Sequence, residues 1–102
     1  MVRATLTMKV KAGRGADFKS AWLAVAEQAR RAPGNLRQTL LQDADDPDSF
    51  VVTSDWESRE AFGRFERSPE QDDLTAPLRE LRESARMTVQ EILAHVDAEQ
   101  KG

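Results

Sequence analysis

Few side chains in this chain are equipped for chemistry, and they gather around one stretch. FVVTSDWESREAFGRF, from Phe50 to Phe65, alternates apolar and polar residues up to Trp56 and then turns helical. A tryptophan where a strand hands over to a helix stands at a usual place for the mouth of a pocket. It serves equally as a large core residue, and in either case a buried indole N–H needs a partner. Trp22 lies on the apolar stripe of an earlier helix, as a core residue or as an opposing pocket wall. Arg64 carries planar donors suited to a carboxylate or phenolate, or is a solvated, salt-bridged arginine. His95 is the lone histidine and the one side chain that titrates near neutrality unaided. It is a candidate base, or else a structural or exposed strand residue. Arg37 and Arg86 are strand arginines that belong to a pocket or to a subunit interface. The chain has no cysteine, which excludes disulfides, thiolate nucleophiles and cysteine metal sites. One histidine cannot build a multi-histidine metal centre.

The elements that must position these residues follow from periodicity. Arg3 to Lys11 alternates, with Ala4, Leu6, Met8 and Val10 on one face, so it reads as a half-buried strand. Gly13 to Gly15 supply a turn. Ala16 to Ala32 changes to helical period, with Phe18, Trp22, Val25, Ala26 and Ala29 as its stripe, and Pro33-Gly34 should end it. Asn35 to Gln42 is a second strand. DADDPDS, Asp43 to Ser49, lacks the central glycine and closing glutamate of a calcium loop and reads as a solvated hairpin turn. Phe50 to Glu57 is the third strand, with Ser58 as N-cap of a helix from Arg59 to about Arg67. Ser68-Pro69 starts a further helical segment, in which Pro77 should break or restart the helix. Arg79 to Arg86 reads as a solvated helix face with ion pairs, and Arg86 to Val96 as the last strand, carrying His95.

The order β-α-β-β-α-β predicts an α+β, ferredoxin-like domain spanning 1–102: a four-stranded antiparallel sheet with its helices on one face. With 39% hydrophobic and 32% charged residues the chain is globular, and a net charge of −3 argues against nucleic acid as a partner. No apolar run is long enough for a membrane span, so a soluble cytoplasmic protein is expected. The sheet face away from the helices would carry Thr7, Thr39, Leu41, Val51, Thr53 and Thr88, too apolar for a wholly wet surface. A second copy packed on it, giving a homodimer, is the simplest cover.

VVTSDWESREAF (Val51 to Phe62), PGNLRQTLLQ (Pro33 to Gln42) and the element order together resemble the antibiotic biosynthesis monooxygenase-type proteins, dimeric α+β barrels. Actinomycete members linked to aromatic polyketide assembly are the most similar. The resemblance implies a cofactor-independent monooxygenase that turns an anthrone or naphthol of a polyketide pathway into a quinone. It makes Trp56 the wall of a pocket for a flat aromatic substrate, with Phe62, Phe65 and Val52 as lining, to which the residues themselves add Trp22 as an opposing wall and Arg64 as a donor. Some members place an asparagine four residues before this tryptophan, where Val52 stands here, and a tyrosine six residues after it, where Phe62 stands. Haem-degrading members carry a histidine on the following helix, where this chain has Phe65, Glu66 and Arg67, so no haem ligand carries over and no cofactor or metal is expected. The apolar replacements at Val52 and Phe62 leave the general base unassigned. They also keep a second role open: a polyketide cyclase, or an accessory protein that binds an intermediate.

Overall fold

The computed structural model describes residues 1–99. Its elements are β1 (Val2–Val10), α1 (Gly15–Ala29), β2 (Asn35–Gln42), β3 (Ser49–Trp56), α2 (Arg59–Glu66), α3 (Pro69–Leu81) and β4 (Arg82–Glu91). The strands form one antiparallel sheet in the order β2-β3-β1-β4. This is the ferredoxin-like α+β order read from the alternation, with the second helical segment divided at Ser68. The expected Ser58 cap is present, its Oγ accepting from Ala61 N, and Ser68 caps the helix start read at Ser68-Pro69, its Oγ accepting from Gln71 N, each at 3.1 Å. Among the described residues no helix is long and apolar enough to cross a membrane.

The strand pattern decides which face the helices cover. Val2, Ala4, Met8 and Val10 of β1 are buried, as are Phe50 and Trp56 of β3. Phe18 of α1 is wholly buried, its ring 5.3 Å from that of Phe50. Each of the valine, methionine and phenylalanine side chains contributes about 1.5–3 kcal/mol when fully removed from water. The apolar interior forms two clusters. One gathers Met8, Val10, Phe18, Val25, Phe50 and Leu78; the other gathers Val2, Ala4, Trp56, Ala61 and Phe62.

Four expectations about the elements are corrected. Helix α1 ends at Ala29, not Ala32, because the chain tightens into i→i−3 bonds (Arg31 N to Gln28 O, Ala32 N to Ala29 O) and Pro33 disfavours helical geometry at the residue before it. Pro77 does not break α3, which runs from Pro69 to Leu81. A proline inside a helix costs about 3 kcal/mol. Here burial of Leu78 and packing of Leu74 and Leu81 against the same cluster offset it. Strand β4 is Arg82–Glu91, not Arg86 to Val96. It starts directly from α3, where Lys11 N donates to Leu81 O and Val10 pairs with Arg82. It ends where β1 begins, with Val2 opposite Glu91. The charged stretch Arg79 to Arg86 is therefore mostly strand. Arg79 reaches back to Asp72 and Thr75 instead of forming ion pairs within the stretch.

The face away from the helices carries the residues expected there, with Thr7 opposite Val51, Thr5 opposite Thr53 and Thr88, and Leu41 opposite Val51. One charged group is buried on it. Asp55 is 1% exposed and receives Arg3 Nε at 2.7 Å, Arg3 Nη2 at 3.0 Å and Arg37 Nη1 at 2.7 Å. The hydrogen bonds from Arg3 hold its carboxyl below the usual range, against the opposing effect of burial, and Arg37 adds to them. In the β2–β3 turn the aspartates build the turn themselves. Asp43 Oδ1 accepts from the amides of Asp45 and Asp46, and Asp46 Oδ1 from that of Asp48. Lys9 and Ser49 on Asp46 lower its pKa to about 2.

Two measurements check this frame. Gly34 has φ +87°, and a Cβ there would lie 2.6 Å from the Ala61 Cβ. Gly34→Ala is expected to lower unfolding free energy by at least about 2 kcal/mol in urea titrations. Asp46 and Asp55 have folded pKa values below the ordinary aspartate value of 3.8. Their stabilisation is therefore complete above about pH 4 and lost as pH falls towards 2. The urea midpoint should drop across that interval, and less steeply in Asp55→Asn.

Candidate functional site

Between the helices and the sheet lies a cavity of about 120 Å³, lined by residues from both apolar clusters. It exists because the residues that meet there are small. Ala4 sits at the centre of the sheet with Ser54 opposite it on β3 and Val89 on β4; Ala26 and Ala29 of α1 also line the space. Larger side chains at both ends hold the layers apart: Met8 and Leu78 at one, Trp56 and Phe62 at the other. Such a volume holds several water molecules or part of an organic ring.

Trp56 is the fixed wall. It is 1% exposed, with its ring 5.7 Å from Phe62 and 5.0 Å from Phe65, both tilted. Its Nε1–H donates to Ser54 Oγ at 2.9 Å, the partner that a buried indole requires. Ser54 lies two residues earlier on the same strand, so its hydroxyl shares the face of Trp56. Trp22 and Val52 also line the cavity. Five of the residues predicted as pocket lining, Trp22, Val52, Trp56, Phe62 and Phe65, are thus brought together.

The remaining predictions part from them. Arg64 does not line the cavity; it sits on the outer surface of α2, 59% exposed, with Nη1 3.2 Å from Glu60 Oε1. Spacing i,i+4 on a helix makes that pair natural. His95 lies beyond the end of β4, not on a strand, and is exposed with Nε2 2.8 Å from Asp97 Oδ1. The base suggested for it has no place in this cavity. Arg37 and Arg86 lie on the open sheet face. Arg37 is on Asp55, and Arg86 sits in a groove with Thr7, Leu41 and Val51.

Polar residues not predicted as pocket lining complete the wall: Gln38, Ser54, Glu66, Gln71, Thr75 and Arg82. Gln38 Nε2 donates to Ala26 O at 2.8 Å, tying β2 to α1. Thr75 Oγ1 donates to Gln71 O at 2.9 Å. Arg82 is half-buried, and burial, with Arg79 nearby, pulls its pKa below the ordinary arginine value. Strand parity was the usable signal: Gln38 and Ser54 share a face with Leu40, Val52 and Trp56. The cavity thus offers aromatic walls and scattered donors, with Glu66 as the carboxylate at an exposed edge.

Residues 1–76 match the family model described as antibiotic biosynthesis monooxygenase. Protein SchA of Streptomyces halstedii is 27% identical over 77 residues, which is 76% of this chain and 20% of that protein. The 42.8 kDa protein in the whiE locus of Streptomyces coelicolor is 30% identical over 77 residues, 76% of this chain and 19% of its own length. The chain thus spans about a fifth of the curated relatives it matches. Among solved structures, SnoaB, a cofactor-independent oxygenase from Streptomyces nogalater, superposes with a TM-score of 0.85 at 26% identity, covering 95% of this chain and 97% of that one.

The Ser54–Trp56 bond yields a direct test. Ser54→Ala leaves the buried indole N–H without its partner and should lower stability by about 1–3 kcal/mol, read from urea denaturation followed by tryptophan fluorescence.

Proposed function

The chain belongs to the antibiotic biosynthesis monooxygenase family, and on that premise we propose that it is a cofactor-independent monooxygenase acting on an aromatic polyketide intermediate in the cytoplasm. The observation that carries the reading is the cavity walled by Trp56, Trp22, Phe62 and Phe65. The likeness of the chain to SnoaB, a cofactor-independent oxygenase, and to the two Streptomyces proteins supports it. An anthrone suits the chemistry of such a site, with its reacting edge entering the cavity of about 120 Å³ and the remaining rings lying at the exposed side. Its ring-bound CH2 loses a proton to give a delocalised carbanion, which passes one electron to O2. The radical pair joins as a peroxide, and loss of water leaves the quinone carbonyl. The balance is R2CH2 + O2 → R2CO + H2O. The protein's part is to hold the reacting edge of the substrate away from water and to place N–H and O–H donors where negative charge develops on the ring oxygen. Gln38, Ser54 and Arg82 are the donors at hand.

A second reading has its own observation. Val52 and Phe62 both face the cavity, apolar where the resemblance implies an asparagine and a tyrosine in some members, and His95 lies elsewhere. A site with rings and donors but no strong base also fits a polyketide cyclase or an accessory protein that shelters an intermediate. We extend the proposal to the assembly: the open sheet face, with Leu41 48% exposed, is covered by a second copy of the chain.

Oxygen consumption decides between the two roles. With an anthrone under air, the oxygenase shows protein-dependent O2 uptake and quinone absorbance, both abolished under anaerobic conditions. Uptake equal to the protein-free rate, combined with a changed ring pattern when the protein is co-expressed with a minimal polyketide synthase, favours the cyclase. For the assembly, sedimentation velocity at micromolar concentration should give twice the mass of the chain.

A further inference from the structure

Arg82 is a cation on the cavity wall with no ion pair to any described residue. Its neighbour Arg79 is engaged with Asp72 and Thr75; Glu66, the carboxylate on the same wall, is exposed and not paired with Arg82. The backbone puts Arg82 there by an irregularity. Along β4, Met87 pairs with Leu6 and Ala85 with Met8, both facing the helices. Regular alternation would next bring Glu83 to that face, opposite Val10. Instead the register shifts between Lys9 and Val10, and Val10 pairs with Arg82. A bulge of one residue re-aims the side chains on either side of it. The result is that Arg82 lines the cavity and Glu83 is exposed outside it.

We propose that the cavity binds an acidic aromatic compound as its anion, with the Arg82 guanidinium holding the phenolate, enolate or carboxylate oxygen while the rings lie against Trp56 and its aromatic neighbours. This rests on the reading of the cavity as an aromatic site and adds the charge of its occupant. A guanidinium cannot give up its proton at neutral pH and matches planar oxyanions with paired N–H donors. Half-burial strengthens that contact relative to one in open water. Arg82 would thus set which protonation state of the ligand is held, and hence where the ligand's oxygen points.

Naphthoate and naphthamide share their rings and differ in charge, so they separate the two layers of the argument. Binding is read at neutral pH from quenching of the tryptophan emission. The wild-type chain should bind naphthoate about tenfold or more tighter than naphthamide. Arg82→Gln should bring the two to parity with naphthamide affinity unchanged, Arg82→Lys should keep part of the preference, and Glu83→Gln should keep all of it. Equal affinities in the wild type, or a preference that survives Arg82→Gln, overturn the role of Arg82 and leave the aromatic site standing. Failure of both compounds to bind overturns the aromatic site and this proposal with it. If Arg82→Gln does not fold, the side-chain N–H resonance of Arg82 in the wild type decides. It should shift on addition of naphthoate and stay in place with naphthamide; the same response to both counts against the proposal.

Discussion

The pairing of β1 with β3 on one side and β4 on the other is the constraint on which the rest depends. It fixes the length of β4, which must begin where α3 ends and stop where β1 starts. It fixes the face of every sheet residue, since a slip of one position would exchange core and surface throughout. It also sets Ala4 between Ser54 and Val89 at the middle of the helix-facing side. Protein interiors are normally filled to the density of organic crystals. A closed, dry void of about 120 Å³ would cost on the order of 3 kcal/mol. The polar lining and exposed edge let water enter and reduce that cost. A chain that keeps small residues at the centre of its sheet, between two clusters of large ones, gives up packing for room.

Asp55 and Trp56 show how the two faces are joined. They are consecutive, so strand geometry sends them to opposite sides of the sheet. Trp56 stands in the cavity wall; Asp55 is clamped under Arg3 and Arg37 on the open face. Breaking a buried pair by removing one partner is strongly destabilising, because a charge is left without compensation. The position of the indole is thereby tied to a charge cluster that it never touches. Whatever covers the open face also covers that cluster.

Most of the frame was legible in the sequence because it rests on local periodicity. The alternation in β1 and β3, the Ser58 cap and the stripe of α1 all stated their outcome without reference to the rest of the chain. Pro77 and the limits of β4 were not legible, since both are decided by contacts distant in sequence: the leucines of α3 against the core, and the reach of β1. The site divides in the same way. The resemblance pointed to Trp56, Val52 and Phe62, and strand parity with helical spacing accounts for why they meet. His95 looked strand-borne only while β4 was drawn too far along the chain. Gln38 and Ser54 were present in the alternation as polar residues on an apolar face, which is how a buried polar contact announces itself. Arg82 lay beyond any such reading, because a register shift against β1 decides its direction.

That register shift has a consequence for how such a protein diversifies. Around a bulge, the charge facing the cavity depends on strand register as well as on residue identity. With Glu83 as the extra residue, its loss would straighten the β1–β4 ladder and leave Arg82 opposite Val10, whereas a straight ladder of unchanged length would turn Glu83 inward in its place. The sign of the charge at the rim thus rests on the bulge itself, with every wall residue of the cavity otherwise unaltered. Relatives compared only by matching residues at aligned positions would hide that dependence.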